Sequence, residues 1–195
     1  MRIRGDELKK LANERGLSVE QLAGAVSRMK ADDAASAIRN WMVGRDHPRC
    51  KASDIAALAN ALQVQPREIA KYTSSVMYHR GSGRKVKLVT DLVRGKSIVD
   101  AENLLTFTTK RAALNVRKAL KAAIAEADNS GADLGALYVS ESRVDEAPVM
   151  KRFQPKDRGR AHQILKRFSH ITISVQERGE TADAGSKSRK GGKGR

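Results

Sequence analysis

The sequence predicts a mixed α/β (α+β) fold: a small antiparallel sheet, three helices and a long protruding β-hairpin, preceded by an all-α unit. Three observations predict it. Residues 1–75 carry apolar side chains at helical spacing, interrupted at short intervals by capping residues. Three further helical stripes follow, as far as Asn129-Ser130-Gly131. From Leu137 onward the pattern changes to strand periodicity, and it encloses a basic stretch with no helical apolar stripe.

The elements follow in order. Leu8, Leu11 and Ala12 share one face of a first helix, opened by Asp6 and closed by Gly16. Ser18 begins a second, with Gln21 completing a capping box and Leu22, Ala23 and Val26 facing inward. Ile38, Trp41 and Met42 mark a third helix that stops at Gly44, with Trp41 placed in the core by its spacing from Ile38. Ser53 is the expected cap of a fourth, built on Ile55, Leu58, Ala59 and Leu62, and a short fifth after Pro66 contains Ile69. This apolar set is complete enough for residues 1–75 to be expected to fold independently.

In residues 76–178, Ser82 is the expected cap of a helix holding Val86, Leu88, Val89, Leu92 and Val93, stopped by Gly95. Ser97 opens a helix with Ala101, Leu104 and Leu105. A long helix after Thr108-Thr109 buries Ala112, Ala113, Val116, Leu120, Ala123 and Ile124, and ends at a left-handed stop near Gly131. A strand near residues 137–144, a hairpin over about 144–170, and a strand with Ile171, Ile173 and Val175 on one face complete the unit. Residues 179–195 are rich in Gly, Ser, Lys and Arg. They have no apolar residue larger than alanine, so a disordered basic tail is expected.

Charge narrows the function. The net charge is +16 and the sequence pI near 10.3, the footprint of a nucleic-acid binder. Residues 1–75 hold 13 basic and 9 acidic residues, whereas residues 76–178 hold 20 and 11, so the polyanion belongs mainly to the second section. Aromatic residues are only 4%, which favours phosphate neutralisation over base stacking. The single Cys50 suits a reducing cytoplasm, and no apolar run reaches the length of a membrane span. His47, His79, His162 and His170 lack paired ligand spacing, so no metal or other cofactor is expected. No nucleophile–base or paired-carboxylate arrangement points to an enzyme.

Between Met150 and Arg167, Lys151, Arg152, Lys156, Arg158, Arg160, Lys166 and Arg167 face only one acid, Asp157. Such a ribbon cannot bury a core of its own and suits threading into folded RNA. Arg offers a planar donor fork to phosphate and Lys a mobile charge. Gly159 permits a positive φ at the tip, and Met150 and Phe153 are candidate wedges against bases or ribose. Ser82-Gly83-Arg84-Lys85 lacks the glycine spacing of a nucleotide-binding loop and reads instead as a helix start docked on an RNA phosphate.

Residues 76–178 resemble the universal large-subunit ribosomal protein twenty-two family. The resemblance runs from Arg80-Gly81-Ser82-Gly83-Arg84-Lys85-Val86-Lys87-Leu88-Val89 through Asp91-Leu92-Val93-Arg94-Gly95-Lys96 and Phe107-Thr108-Thr109-Lys110-Arg111-Ala112-Ala113. It continues through Asn129-Ser130-Gly131-Ala132-Asp133, Val144-Asp145-Glu146 and Met150-Lys151-Arg152 to Arg158-Gly159-Arg160-Ala161 and Lys166-Arg167-Phe168-Ser169-His170-Ile171-Thr172. Gly83 departs from the family's usual proline and Lys156-Asp157 from its arginine-alanine. The resemblance implies a structural constituent of the large subunit, located in the cytoplasm on the ribosome. Its implied partners are large-subunit rRNA, neighbouring large-subunit ribosomal proteins and the nascent peptide in the exit tunnel. Implied rRNA contacts are Arg80, Ser82, Arg84, Lys85, Lys87, Arg94, Lys96, Lys110, Arg111, Lys166, Arg167, Ser169 and His170. Met150, Lys151, Arg152, Pro155, Lys156, Arg158, Gly159, Arg160 and Ala161 form the implied tunnel hairpin.

The first section resembles the phage-repressor type of helix-turn-helix through Leu17-Ser18-Val19-Glu20-Gln21-Leu22-Ala23, the segment from Ile38 to Pro48, and that from Ile55 to Leu62. That resemblance implies the alternative of a DNA-binding transcriptional regulator, with Ser36, Arg39, Asn40 and Arg45 as contacts to DNA or protein. The turn is about five residues too long, and Asp32 and Asp33 at the start of the third helix repel phosphate, so DNA is the lesser expectation.

Overall fold

A computed structural model describes residues 1–178. The expected basic tail at 179–195 lies outside the described residues.

Five helices come first: α1 (Gly5–Glu14), α2 (Val19–Ala25), α3 (Ala31–Met42), α4 (Ala52–Ala61) and α5 (Pro66–Ile69). The capping box forms as expected, with Ser18 Oγ accepting from Gln21 N–H at 3.3 Å and Gln21 Oε1 from Ser18 N–H at 2.9 Å. Trp41 is buried, and its indole N–H donates to the Pro48 carbonyl at 2.7 Å. Two expected helix starts are corrected. The first helix opens at Gly5 with Arg4 as its cap, and its start lies so close to the end of α3 that a Cβ at position 5 would overlap the Trp41 carbonyl. The fourth is capped at Lys51: Asp54 Oδ2 accepts from Lys51 N–H at 3.0 Å, and Ser53 lies inside the helix.

Strand β2 (Ala70–Arg80) follows α5 directly and runs across position 75, where the helical pattern of the sequence ends. Helices α6 (Gly83–Val93), α7 (Ile98–Phe107) and α8 (Ala112–Asn129) come next, then β3 (Leu137–Pro155), a 3-10 turn (Asp157–Gly159) and β4 (Ala161–Glu177). Ser97 caps α7 by accepting from Asp100 N–H at 3.2 Å, and Gly131 takes φ +71° to end α8 as expected. Ser82 stands at the cap of α6 without a side-chain capping bond.

A two-residue strand, β1 (Arg2–Ile3), completes an antiparallel sheet of order β1-β2-β4-β3. Tyr72, Val175 and Val139 lie side by side across its three long strands and are buried, as are Ile171 and Ile173. Helix α8 packs on β2 and β4 through Val116, Leu120 and Ala123. Val116 and Leu120 each contribute about 1.5–3 kcal/mol by leaving water. Ile69, Ala70 and Tyr72 carry this core without a break into the helical unit.

Leu88, Leu92 and Leu104, expected in the core, are 58%, 46% and 40% exposed. On α6 the residues that meet β3, α7 and α8 are Val86, Val89, Thr90 and Val93, so the two leucines fall on the outer side of the stripe.

Candidate nucleic-acid interface

Past the pair Ala147–Phe168 the β3–β4 hairpin leaves the body, and every residue from 148 to 167 is exposed. Below that point the arms belong to the sheet, with Val144 and Glu146 against the start of α6. The seven steps from Pro148 to Pro155 give a free arm of about 23 Å at about 3.3 Å per residue. The register brings Met150 opposite Lys166, Lys151 opposite Leu165, Arg152 opposite Ile164 and Phe153 opposite Gln163. Paired residues share a face, so each face of the ribbon carries both cations and apolar groups. Among the described residues, none of its seven cations pairs with a carboxylate.

At the tip Pro155 pairs with Ala161, and Lys156 N–H donates to the Arg160 carbonyl at 2.7 Å. Both Arg158 and Gly159 are left-handed, with φ +53° and +71°. The glycine was legible in the sequence as a turn residue. Arg158 was legible only as a cation.

A second basic region lies where two helix starts meet. His79, near the end of β2, is buried, and its Nδ1 bonds to the Asn115 side-chain amide in the first turn of α8. This contact brings Arg80–Lys85, at the start of α6, toward Lys110 and Arg111, at the start of α8. Burial, reinforced by the Arg111 charge, holds the His79 pKa below its usual value. Arg80, Arg84, Lys85, Lys87, Lys110 and Arg111 are all exposed, and Ser82 is half-buried.

Other expected contacts are placed differently. Ser169 is fully buried between β2 and β3, paired with His79 and Glu146. His170 Nδ1 accepts from Tyr78 N–H at 3.1 Å, and its ring meets Tyr78 edge-on at 4.8 Å. Arg94 braces α6 to the sheet, donating to the Ser142 carbonyl at 2.5 Å and pairing with Asp91 at 3.2 Å. Lys96 is exposed beside Phe107, itself 83% exposed. In the helical unit Ser36, Arg39 and Arg45 are exposed, while the Asn40 side-chain amide donates to the His47 carbonyl at 3.0 Å. The sequence reading missed β2 and its bulge between Val76 and His79, which exposes Met77 and Tyr78. The β-formers Tyr72, Thr73, Val76 and Tyr78 carried that signal.

A mixed sheet-and-helix body, cationic at two helix starts and along a coreless ribbon, has the charge distribution of a nucleic-acid-binding protein. Residues 74–176 match the family described as Ribosomal protein L22p/L17e, and the chain belongs to that family. It is thus a structural constituent of the large ribosomal subunit that binds its rRNA, in a family of structural rather than catalytic proteins. The match begins inside β2 and ends within β4, leaving β1 and α1–α5 outside it. Among the described residues no helix is long and apolar enough to cross a membrane.

Proposed function

We propose that the chain supports assembly of the large subunit and lines the nascent-peptide exit tunnel with its hairpin, about residues 144–170. One observation carries this reading: a ribbon, exposed from residue 148 to 167, whose seven cations have no carboxylate partner among the described residues. Charge repulsion and exposed Phe153 and Leu165 make such a ribbon costly in water, and an RNA cleft removes both costs. The rRNA contacts are the cations at the two helix starts together with Lys166 and Arg167. The tip, from Lys156 to Ala161, faces the tunnel, and the nascent peptide passes Arg158 and Arg160. Residues 1–75 act as an extension at the subunit surface that meets rRNA or neighbouring proteins, and residues 179–195 as a basic tail.

Sedimentation of salt-washed large subunits tests the assignment, with the protein expected in stoichiometric amount. A subunit structure with Arg158 and Arg160 on the solvent side, away from the tunnel, would overturn the tunnel role.

A further inference from the structure

Where the N-terminal extension docks on the sheet, the two enclose a polar cleft of about 160 Å³. Its lining joins three regions distant in sequence: Arg2 on β1, Arg45 and Asp46 after α3, and Lys71, Glu141 and Arg143 on the sheet. The register sets Arg2 directly opposite Lys71. Like charges at that position destabilise a strand pair, so the arrangement needs anions.

The protein supplies only some of them. Lys71 Nζ meets Glu141 at 2.5 Å, Arg143 meets the same carboxylate at 3.5 Å, and Arg2 meets Asp46 at 3.4 Å. Arg143 also reaches Asp145 at 3.0 Å, and Arg45 has no ion-pair partner among the described residues. Four cations therefore stand over two lining carboxylates and one neighbouring one, and the excess remains positive. Glu141 reports the same field. Burial raises its pKa, but the Lys71 hydrogen bond and the charges of Lys71, Arg143 and Arg2 outweigh this and hold it below its usual value.

We propose that this cleft is a phosphate-binding site that takes a backbone phosphate of the rRNA. The extension thereby enlarges the RNA footprint of the family domain. A cleft of about 160 Å³ has room for a phosphate group. The partly exposed side chains, Arg2 at 42% and Arg143 at 53%, leave the mouth accessible. The site exists only while β1 is paired with β2, because Arg2 and the Arg45 loop both belong to the extension. This proposal rests on the rRNA-binding reading above.

The experiment uses the full chain and large-subunit rRNA, measuring affinity across a salt series. Arg45→Ala should lower the slope of log affinity against log salt by about 0.7–0.9, the loss of one phosphate contact, and Arg45→Lys should restore most of it. Trp41, the single tryptophan, borders the cleft with its indole buried, so a phosphate charge placed there should shift its emission through the local field. Emission should change with rRNA and not with inorganic phosphate alone, and the change should weaken in Arg45→Ala. Lys166→Gln should lower the salt slope without altering the Trp41 response. If the wild-type chain binds rRNA but Arg45→Ala has the same slope and emission response, the cleft proposal is overturned while the ribosomal reading stands. Saturation by inorganic phosphate alone overturns the assignment to RNA. Absence of any salt-dependent rRNA binding by the wild type overturns both readings.

Discussion

The Arg28 guanidinium grips the Asp54 carboxylate with two hydrogen bonds, Nε to Oδ1 at 3.2 Å and Nη2 to Oδ2 at 2.8 Å. Asp54 is 2% exposed and also caps α4 by accepting from Lys51 N–H, so one carboxylate ties the segment after α2 to the start of α4. Burial pushes its pKa up, but the bonds from Arg28, Lys51 and Ser53 together hold it below the usual value. A depressed carboxylate pKa gives stability that is present above the unfolded value of about 3.9 and lost as pH falls through the folded one. Asp54→Asn should therefore flatten the acid limb of the unfolding midpoint against pH. Asp54→Ala should cost about 1.5–3 kcal/mol, the worth of a hydrogen bond to a charged group. Thermal melts followed by circular dichroism between pH 2 and pH 7 check both, and an unchanged acid limb in Asp54→Asn would refute the first.

His79 supplies a second pH dependence at a different range. Its pKa is held down by burial and Arg111, so its contribution is present above about 6.5 and is lost as pH falls below it. His79→Gln should remove the part of the stability loss seen on acidification just below that pH. A Cβ on Gly81 would lie 2.8 Å from His79 Nε2, while the opposite ring nitrogen is held by Asn115. Gly81→Ala should therefore lower the melting temperature, and Asn115→Ala should partly relieve the effect by releasing the ring. Strict additivity of the two substitutions in a double-mutant cycle would argue against this coupling.

Helix α4 ends in a paired motif, Gln63 N–H to the Asn60 carbonyl at 3.1 Å and Val64 N–H to the Ala59 carbonyl at 3.0 Å. This closure favours glycine at its left-handed position, yet Gln63 occupies it at φ +51°. Gln63→Gly should raise stability by about 1 kcal/mol, since the side chain makes one weak contact, accepting from Arg15 at 3.4 Å, and the Arg15 bond to the Gln63 carbonyl is kept. Urea titration of both proteins measures the difference, and a loss of stability would show that the Arg15 contacts outweigh the strain.

The register between Tyr72 and Val175 bears on the helical unit by itself. Residues 1–75 cut β2 in its middle and strip Ala70 and Tyr72 of the β4 and α8 surfaces that bury them. The excised segment should unfold at a lower temperature than the full chain. Extending it by further residues of β2 should not rescue it, because the missing partner is β4. A melt of the excised segment matching that of the full chain would show that the helices suffice.

Much of this architecture was legible in local chemistry. The Ser18–Gln21 box, the Ser97 cap, the glycine stops at Gly16, Gly44, Gly95 and Gly131, and the stripe of α8 all depend on neighbours within about one helical turn. The ribbon was legible too, because seven cations without acidic balance or helical period exclude a packed core. Tertiary structure decided what depends on distant partners. Leu88 and Leu92 repeat at helical spacing, but which side of the stripe was buried depended on where β3 and α8 lie. Ser169 reads as a polar residue beside basic ones, and strand register buried it between His79 and Glu146. Arg2 and Lys71, separated by almost the whole helical unit, became neighbours only when β1 closed onto β2. Spacing along the chain specifies which face a residue occupies, but proximity across it follows from strand pairing and helix docking, which no local pattern encodes.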